Sequence, residues 1–437
     1  MKHKIKFSFF SEKHIMWAIG LLAFCFYVLF NYAVPFDYFN HDLGGLNADH
    51  GHMGYMWHIW KNWSLPVFSI DPATQESYYN PPLHYVLSAL WIRCTLFFTD
   101  SFKTGFESLQ ILTSIYMGIT LIFFYRILFL LKIKHKILCW VYFCFNPMLF
   151  IMSSIVNNDG LSFLTTLATF YYGLKWYKDQ LLKTMIIAAL FTGLGLMTKL
   201  NGVLIIAVLA LIFMIRFFKD KKKRKNYIYQ LLIYLLIALP IGGWYYGYAY
   251  FRYHTPVNYV QGWKDPHSDI GSKHTLLERF TNNEWSDIYV DLGSDKNWNM
   301  WALGLKTSVF DEHRYQDNSI IYFFANFLFY FSVFFFFSIC IFSLGYILYK
   351  PILNWQTENI IFIFYIILFL TSFIHFNYYF PHPWTANFRY MPTFFACAIC
   401  LWNKIVKDKT LLFYFLPFAV AFSSIAFYGV LIYQRLF

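Results

Sequence analysis

Long apolar runs, separated by short clusters of lysine and arginine, constrain this chain more than any other feature. The runs fall at 15–34, 110–131, 137–153, 160–175, 184–198, 201–217, 227–249, 320–349, 358–375, 391–403 and 410–433. A helix crossing a bilayer takes roughly 20 apolar residues, so the pattern predicts an all-α polytopic membrane protein with about eleven transmembrane helices. Composition agrees: 58% of residues are hydrophobic, 24% aromatic and only 13% charged, about half the charged fraction of a soluble domain. The net charge of +12 lies in clusters between the runs, notably KDKKKRK at 219–225. Such placement marks cytoplasmic loops and gives no reason to expect a nucleic-acid partner.

Alternation of the basic loops sets the expected topology. Lys132, Lys134 and Lys136, then Lys175, Lys178 and Lys183, then 219–225, Lys350, and Lys404, Lys407 and Lys409 fall in every second loop. That puts the N-terminus inside and the C-terminus outside, in a single membrane domain over 1–437. The outer loops are then 35–109, 154–159, 250–319 and 376–390. The N-terminal basic segment precedes a span-length run without a small-residue cleavage site, so a retained first helix is expected. Residues 252–317 carry ten acidic and seven basic side chains, which suits an extracytoplasmic cap. The segment 81–98 is apolar, but a crossing there would put later basic loops on the wrong side. It reads as a surface-lying or partly embedded helix beginning at Pro81–Pro82. Six of the seven cysteines sit in apolar runs, and Cys397 and Cys400 read as packing residues rather than a metal or redox pair.

The few polar clusters carry the functional information. TKLNG at 198–202 breaks two apolar runs whose far ends are both basic. Each run makes a helix of roughly 22–24 Å, short of the ~30 Å hydrocarbon core. Lys199 is therefore expected below the outer surface, in a protein-lined cavity, and intramembrane charges usually serve function. Arg389, in TANFRYMP, likewise starts a short run. Two cations at the outer ends of short helices suit a phosphate, with Arg supplying bidentate contacts and Lys a point charge. No Asp or Glu falls within the interior of any of the eleven runs, Glu358 standing at a boundary, which disfavours ion-coupled transport. In NADHGHMGYMWHIW, 47–60, Asp49, His52 and Met56 recur at helical spacing, predicting an amphipathic interfacial helix that starts near Asn47–Asp49. In SSIVNNDGLSF, Asn158 and Asp159 stand at another helix start, where Asp159 is a candidate N-cap.

Taken in order, NADHGH, LP, YYNPPLHYVLSAL, NNDGLSF, GLGLMTKLNG and RYMP resemble the GT-C superfamily of membrane glycosyltransferases. The resemblance is to the bacterial relatives of protein O-mannosyltransferases and of lipid A aminoarabinose transferase, and it runs from about residue 10 to 435. It implies an integral protein of the bacterial cytoplasmic membrane that moves a sugar from a polyprenyl-phosphate donor to a lipid-, glycan- or protein-linked acceptor on the outer face, among membrane lipids. It also implies that Asp49 is the catalytic acid of the first loop, placed to act as general base. Lys199 and Arg389, with Tyr390, would stabilise the leaving phosphate. Asp159 would orient the acceptor or sugar, and His52 would hold Asp49. His50, Asn158, Tyr79 and Asn80 would line the substrate cavity. Direct displacement would invert the anomeric centre.

The chain departs from the family pattern at two places. His50 stands where many members have Glu, and Asn80 falls where some carry a metal-binding Glu. Nothing local demands a divalent metal, although Glu76 is the nearest acid and could substitute as its ligand. No cofactor is implied, and no Rossmann-type glycine motif points to a nucleotide sugar. Two alternatives remain open: a polymerase or ligase acting on lipid-linked glycan, and a lipid or glycan transporter.

Overall fold

The computed structural model describes residues 11–39, 41, 43–45, 50–68, 77–257, 274–291, 298–315, 318–349, 356–380, 383–406, 408 and 410–437. Among them there are helices and no strands. In chain order the α-helices are α1 Glu12–Ala33, α2 Gly51–Asn62, α3 Leu83–Thr95, α4 Phe102–Glu107, α5 Leu109–Leu130, α6 Lys136–Cys144, α7 Pro147–Ser154, α8 Asp159–Asp179 and α9 Leu182–Leu196. They continue with α10 Val203–Lys219, α11 Arg224–Tyr253, α12 Leu276–Thr281, α13 Met300–Phe310, α14 Ser319–Tyr349, α15 Thr357–Tyr379, α16 Phe394–Ile405 and α17 Leu411–Leu436.

Among the described residues, seven helical stretches are long and apolar enough to cross a membrane: α1, Phe102–Leu130, Leu200–Lys219, Lys221–Tyr253, α14, α15 and α17. The pair α6 and α7 makes an eighth, bent by 42°. The bend has a local cause: Asn146 caps α7 by accepting from the Met148 N–H at 3.1 Å, and Pro147 in the first turn has no N–H to continue the ladder of α6. A count of eleven requires α8, α9 and α16 to cross as well. Of these α9 and α16 have only 15 and 12 residues, and α8 opens on a buried carboxylate. The segment after Pro82 forms α3, whose 13 residues reach about 20 Å, too short to span.

Charged side chains separate the loops into two groups. Lys136 pairs with Glu12, Lys134 with Asp408, and Lys178 with Glu358 at 2.5 Å; all of these belong to the loops or flanks expected inside. The loops expected outside meet one another instead, through His41, Asp311, Asn387, Arg389 and Asp159. The two sets therefore lie at different ends of the helical bundle.

The end of α9 shows how the fold builds one of these meeting points. A helix leaves its last carbonyls without intrahelical partners. Here the Leu196 carbonyl accepts from the Tyr246 hydroxyl at 2.9 Å, the Met197 carbonyl from the Leu83 N–H at 3.0 Å, and the Thr198 carbonyl from the Asn158 amide at 3.0 Å. The break therefore docks on α11, on the start of α3 and on the turn before α8. Close packing of α9 on α11 depends on Gly242, where an added Cβ would come within 2.6 Å of Leu196 Cβ.

A candidate active site around Asp159, Lys199 and Arg389

Three separate elements bring their charges together. Asp159 is the first residue of α8 and is buried. The Asn157 side chain fixes it twice, accepting from the Asp159 N–H at 2.8 Å and donating to Asp159 Oδ2 at 2.9 Å. Lys199 follows the end of α9 in extended backbone, φ −161° and ψ 143°, and its ammonium donates to Asp159 Oδ1. Arg389 Nη1 lies 3.6 Å from Asp159 Oδ2. The Tyr390 ring completes the group, 4.8 Å from Lys199 Nζ and 5.2 Å from the Arg389 guanidinium carbon. Its hydroxyl accepts from Arg389 Nη2 at 3.3 Å. Two cations thus share one buried carboxylate, and Arg389 Nε is buried with no hydrogen-bond partner among the described residues. A buried donor without an acceptor is costly, and this one suits an anionic oxygen.

Arg389 is held by its own turn. The Asn387 side chain accepts from the Arg389 N–H at 2.9 Å, and the Phe388 N–H donates to Thr307 Oγ1 of α13 at 2.9 Å. The Asn387 amide donates to Asp311 Oδ1 and to Glu312 Oε1, both at 2.8 Å. The other oxygens of these carboxylates face His41, whose Nε2 contacts Asp311 Oδ2 and whose Nδ1 lies 3.4 Å from Glu312 Oε2. Asp311 adopts φ 56° and ψ −149°. A residue with a side chain pays on the order of 1–3 kcal/mol for such a conformation, so the surroundings must hold it.

Among the described residues, the ligand atoms of His41, Asp311 and Glu312 gather within 4.8 Å, a spacing that admits a cation. The two ring nitrogens, however, face different carboxylates, the arrangement of a protonated imidazole donating both ways. Burial and the charge of Arg389 oppose that protonation, but Asp311 and Glu312 outweigh them and raise the His41 pKa to about 9. A pKa raised on folding stabilises the protein fully below the unfolded value of about 6.5, and that stability is lost as pH rises through about 9. The difference in unfolding temperature between wild type and His41→Gln is therefore expected to be largest near neutral pH and to shrink as pH rises through about 9. A pH-independent difference would show that His41 is not charged in the folded protein.

Around Asp159 lie neutral aromatic and imidazole groups. His52 is buried, with Nδ1 2.7 Å from the Tyr85 hydroxyl, and Tyr85 stacks on Tyr55 with centroids 3.9 Å apart. Burial holds His52 well below its usual pKa against the pull of Asp159, and brings His84 down to about 3. Both imidazoles are neutral at pH 7.

The remaining expected residues fall as follows. Asp49 and Glu76 lie outside the described residues. Helix α2 begins at Gly51 with His50 in the capping position and its side chain uncommitted, not near Asn47–Asp49. Gly51–Met56 are buried against the protein, where α2 packs on α3, while Lys61 and Asn62 at its far end are exposed. His52 bonds Tyr85. Asp159 is no N-cap; it sits inside α8 as the counter-ion of two cations. Asn158, at the capping position, donates to Thr198 instead. The Asn80 carbonyl accepts from the Tyr55 hydroxyl at 3.2 Å, and Tyr79 is half-buried beside it. Residues 298–315 are more than a cap, since α13 is buried almost throughout and leads into Asp311 and Glu312.

Residues missed by the sequence reading are His41, Asp311, Glu312, Asn387 and His84. Only the last had a visible signal, as the histidine that follows the Pro81–Pro82 pair. His41 and Asp311 are 270 positions apart, and no local spacing joins them.

Comparison with known proteins bears on the first half of the chain. No curated protein matches it closely enough to be called a relative. Residues 86–244 match the model of the dolichyl-phosphate-mannose-protein mannosyltransferase family, a stretch running from α3 to α11 that includes Asp159 and Lys199. This match and the all-α polytopic fold both support a membrane glycosyltransferase of the GT-C type.

Proposed function

We propose that the protein transfers a sugar from a polyprenyl-phosphate donor to a hydroxyl-bearing acceptor at the membrane face where Asp159, Lys199 and Arg389 meet, with inversion at the anomeric carbon. The observation that carries this reading is the pairing of two cations over one buried carboxylate, with Arg389 Nε left to donate. The donor phosphodiester brings one negative charge. Its non-bridging oxygens take the free donor of Arg389 and share Lys199 with Asp159, which holds both cations in place before the donor arrives. Stabilising charge as it grows on the departing phosphate is the kind of preorganised electrostatic help that lowers a barrier most.

The acceptor oxygen attacks the anomeric carbon as the bond from that carbon to the phosphate oxygen breaks. The acceptor proton passes to a carboxylate, for which Asp49 is the candidate, and polyprenyl phosphate leaves as the anion. His52, His84 and Tyr85 are neutral and close to Asp159, and in this scheme they contact sugar hydroxyls. Neutralising either cation, by Lys199→Met or Arg389→Met, is expected to weaken binding of a synthetic polyprenyl-phosphate sugar about tenfold or more, the scale of one charge-assisted contact. Direct binding to purified protein reads this. Unchanged affinity in both variants would remove these residues from the donor site.

A further inference from the structure

We propose that His41 is a positioning residue: its imidazolium, set between Asp311 and Glu312, latches the first loop to the turn that presents Arg389. The latch has two arms. On one side, Asn387 donates to both carboxylates at 2.8 Å while its own oxygen accepts from the Arg389 N–H at 2.9 Å. Any shift of Asp311 or Glu312 therefore moves the backbone of Arg389. On the other side, His41 is followed at once by the segment that seats α2. The Leu43 carbonyl accepts from the Met53 N–H at 2.8 Å. Gly44, at φ +73°, packs so closely that an added Cβ would lie 2.4 Å from the His50 carbonyl oxygen. Helix α2 carries His52, and Asp49 precedes it. One buried imidazolium thus ties the segment bearing Asp49 and His52 to the turn bearing Arg389.

Charge explains why a histidine serves here. Within the connected set of ion pairs, Asp159, Asp311 and Glu312 are three negative charges and Lys199 and Arg389 two positive ones. Protonated His41 balances the set. Its two ring N–H groups point to opposite sides, so it spans two carboxylates that a single-donor side chain would leave half satisfied. Asp311 is kept in its strained conformation by this contact and by Asn387.

The consequence for catalysis rests on the proposed role of Arg389 at the donor phosphate, but the latch itself does not. Hydrogen exchange of the full-length protein in detergent, without donor, tests it directly. In His41→Ala, amide exchange is expected to rise on the order of tenfold in both 385–391 and 50–56, with α1 and α17 unchanged. Two further variants separate charge from packing. His41→Lys restores a cation with several donors and should recover part of the protection, whereas His41→Gln, closer in size but neutral, should not. Should His41→Ala fail to fold, Glu312→Gln keeps the shape and is expected to raise exchange in the same two segments by a smaller factor. The proposal is overturned if only one segment responds, if Gln protects better than Lys, or if Glu312→Gln has no effect. It is also overturned if a chelator added to wild type reproduces the rise, because a bound cation would then be holding the carboxylates. Failure of the wild type to bind donor would refute the glycosyl-transfer reading and leave the exchange result standing.

Discussion

Sugar transfer by Asp49→Asn is expected to fall ~10²–10⁴-fold, the usual contribution of general-base catalysis, while the protein folds and binds donor as the wild type does. The acceptor hydroxyl must lose a proton as its oxygen bonds to the anomeric carbon. Among the nearby acids Asp159 is committed to Lys199 and Arg389, and Asp311 and Glu312 to His41 and Asn387. A carboxylate neutralised by two cations is a poor proton acceptor. In the sequence Asp49 immediately precedes His50, the residue in the capping position of α2. Asparagine preserves size and hydrogen bonding but takes no proton. Near-normal transfer by this variant in a reconstituted assay would leave the base unassigned.

The second large effect concerns stability. Asp159→Asn is expected to destabilise the protein by about 3–5 kcal/mol, because it leaves two cations together without the buried carboxylate they share. The effect on transfer should be equally severe, since Lys199 and Arg389 would repel each other out of position. Combining it with Lys199→Met removes one cation along with the carboxylate and should recover a substantial part of the loss. The double-mutant cycle, read by denaturant unfolding in detergent, is expected to give a coupling of at least about 1 kcal/mol. Additive losses would mean that the pair contributes nothing beyond its separate contacts.

Local signals in the chain were legible where one residue's neighbours decide its structure. The break at 198–202 follows from the polar TKLNG between two apolar runs, and it appears as the turn that carries Lys199, although the second run, as Leu200–Lys219, is long enough to cross a membrane. Pro81–Pro82 announces α3, because a proline disfavours helix before it and suits the first turn after it. Lys199 and Arg389 both meet Asp159. Asp159 shows where such reasoning stops. Its position at a helix start suggests capping, but long-range pairing with Lys199 and Arg389 decides what its carboxylate does. For α2, apolar and polar residues at helical spacing suggest the helix itself, but its burial over Gly51–Met56 comes from packing against α3, which the spacing does not show. The cluster of His41, Asp311, Glu312 and Asn387 depends wholly on tertiary contact between loops far apart in sequence, which no periodicity encodes.

The most direct test of the central claim is transfer by the purified protein in liposomes, supplied with a synthetic polyprenyl-phosphate sugar and a hydroxyl acceptor. The account predicts that polyprenyl phosphate is released in step with the sugar gained by the acceptor, and that the new glycosidic bond has the anomeric configuration opposite to that of the donor. Movement of intact donor across the bilayer without cleavage of the sugar–phosphate bond, or transfer with retention of configuration, would contradict it.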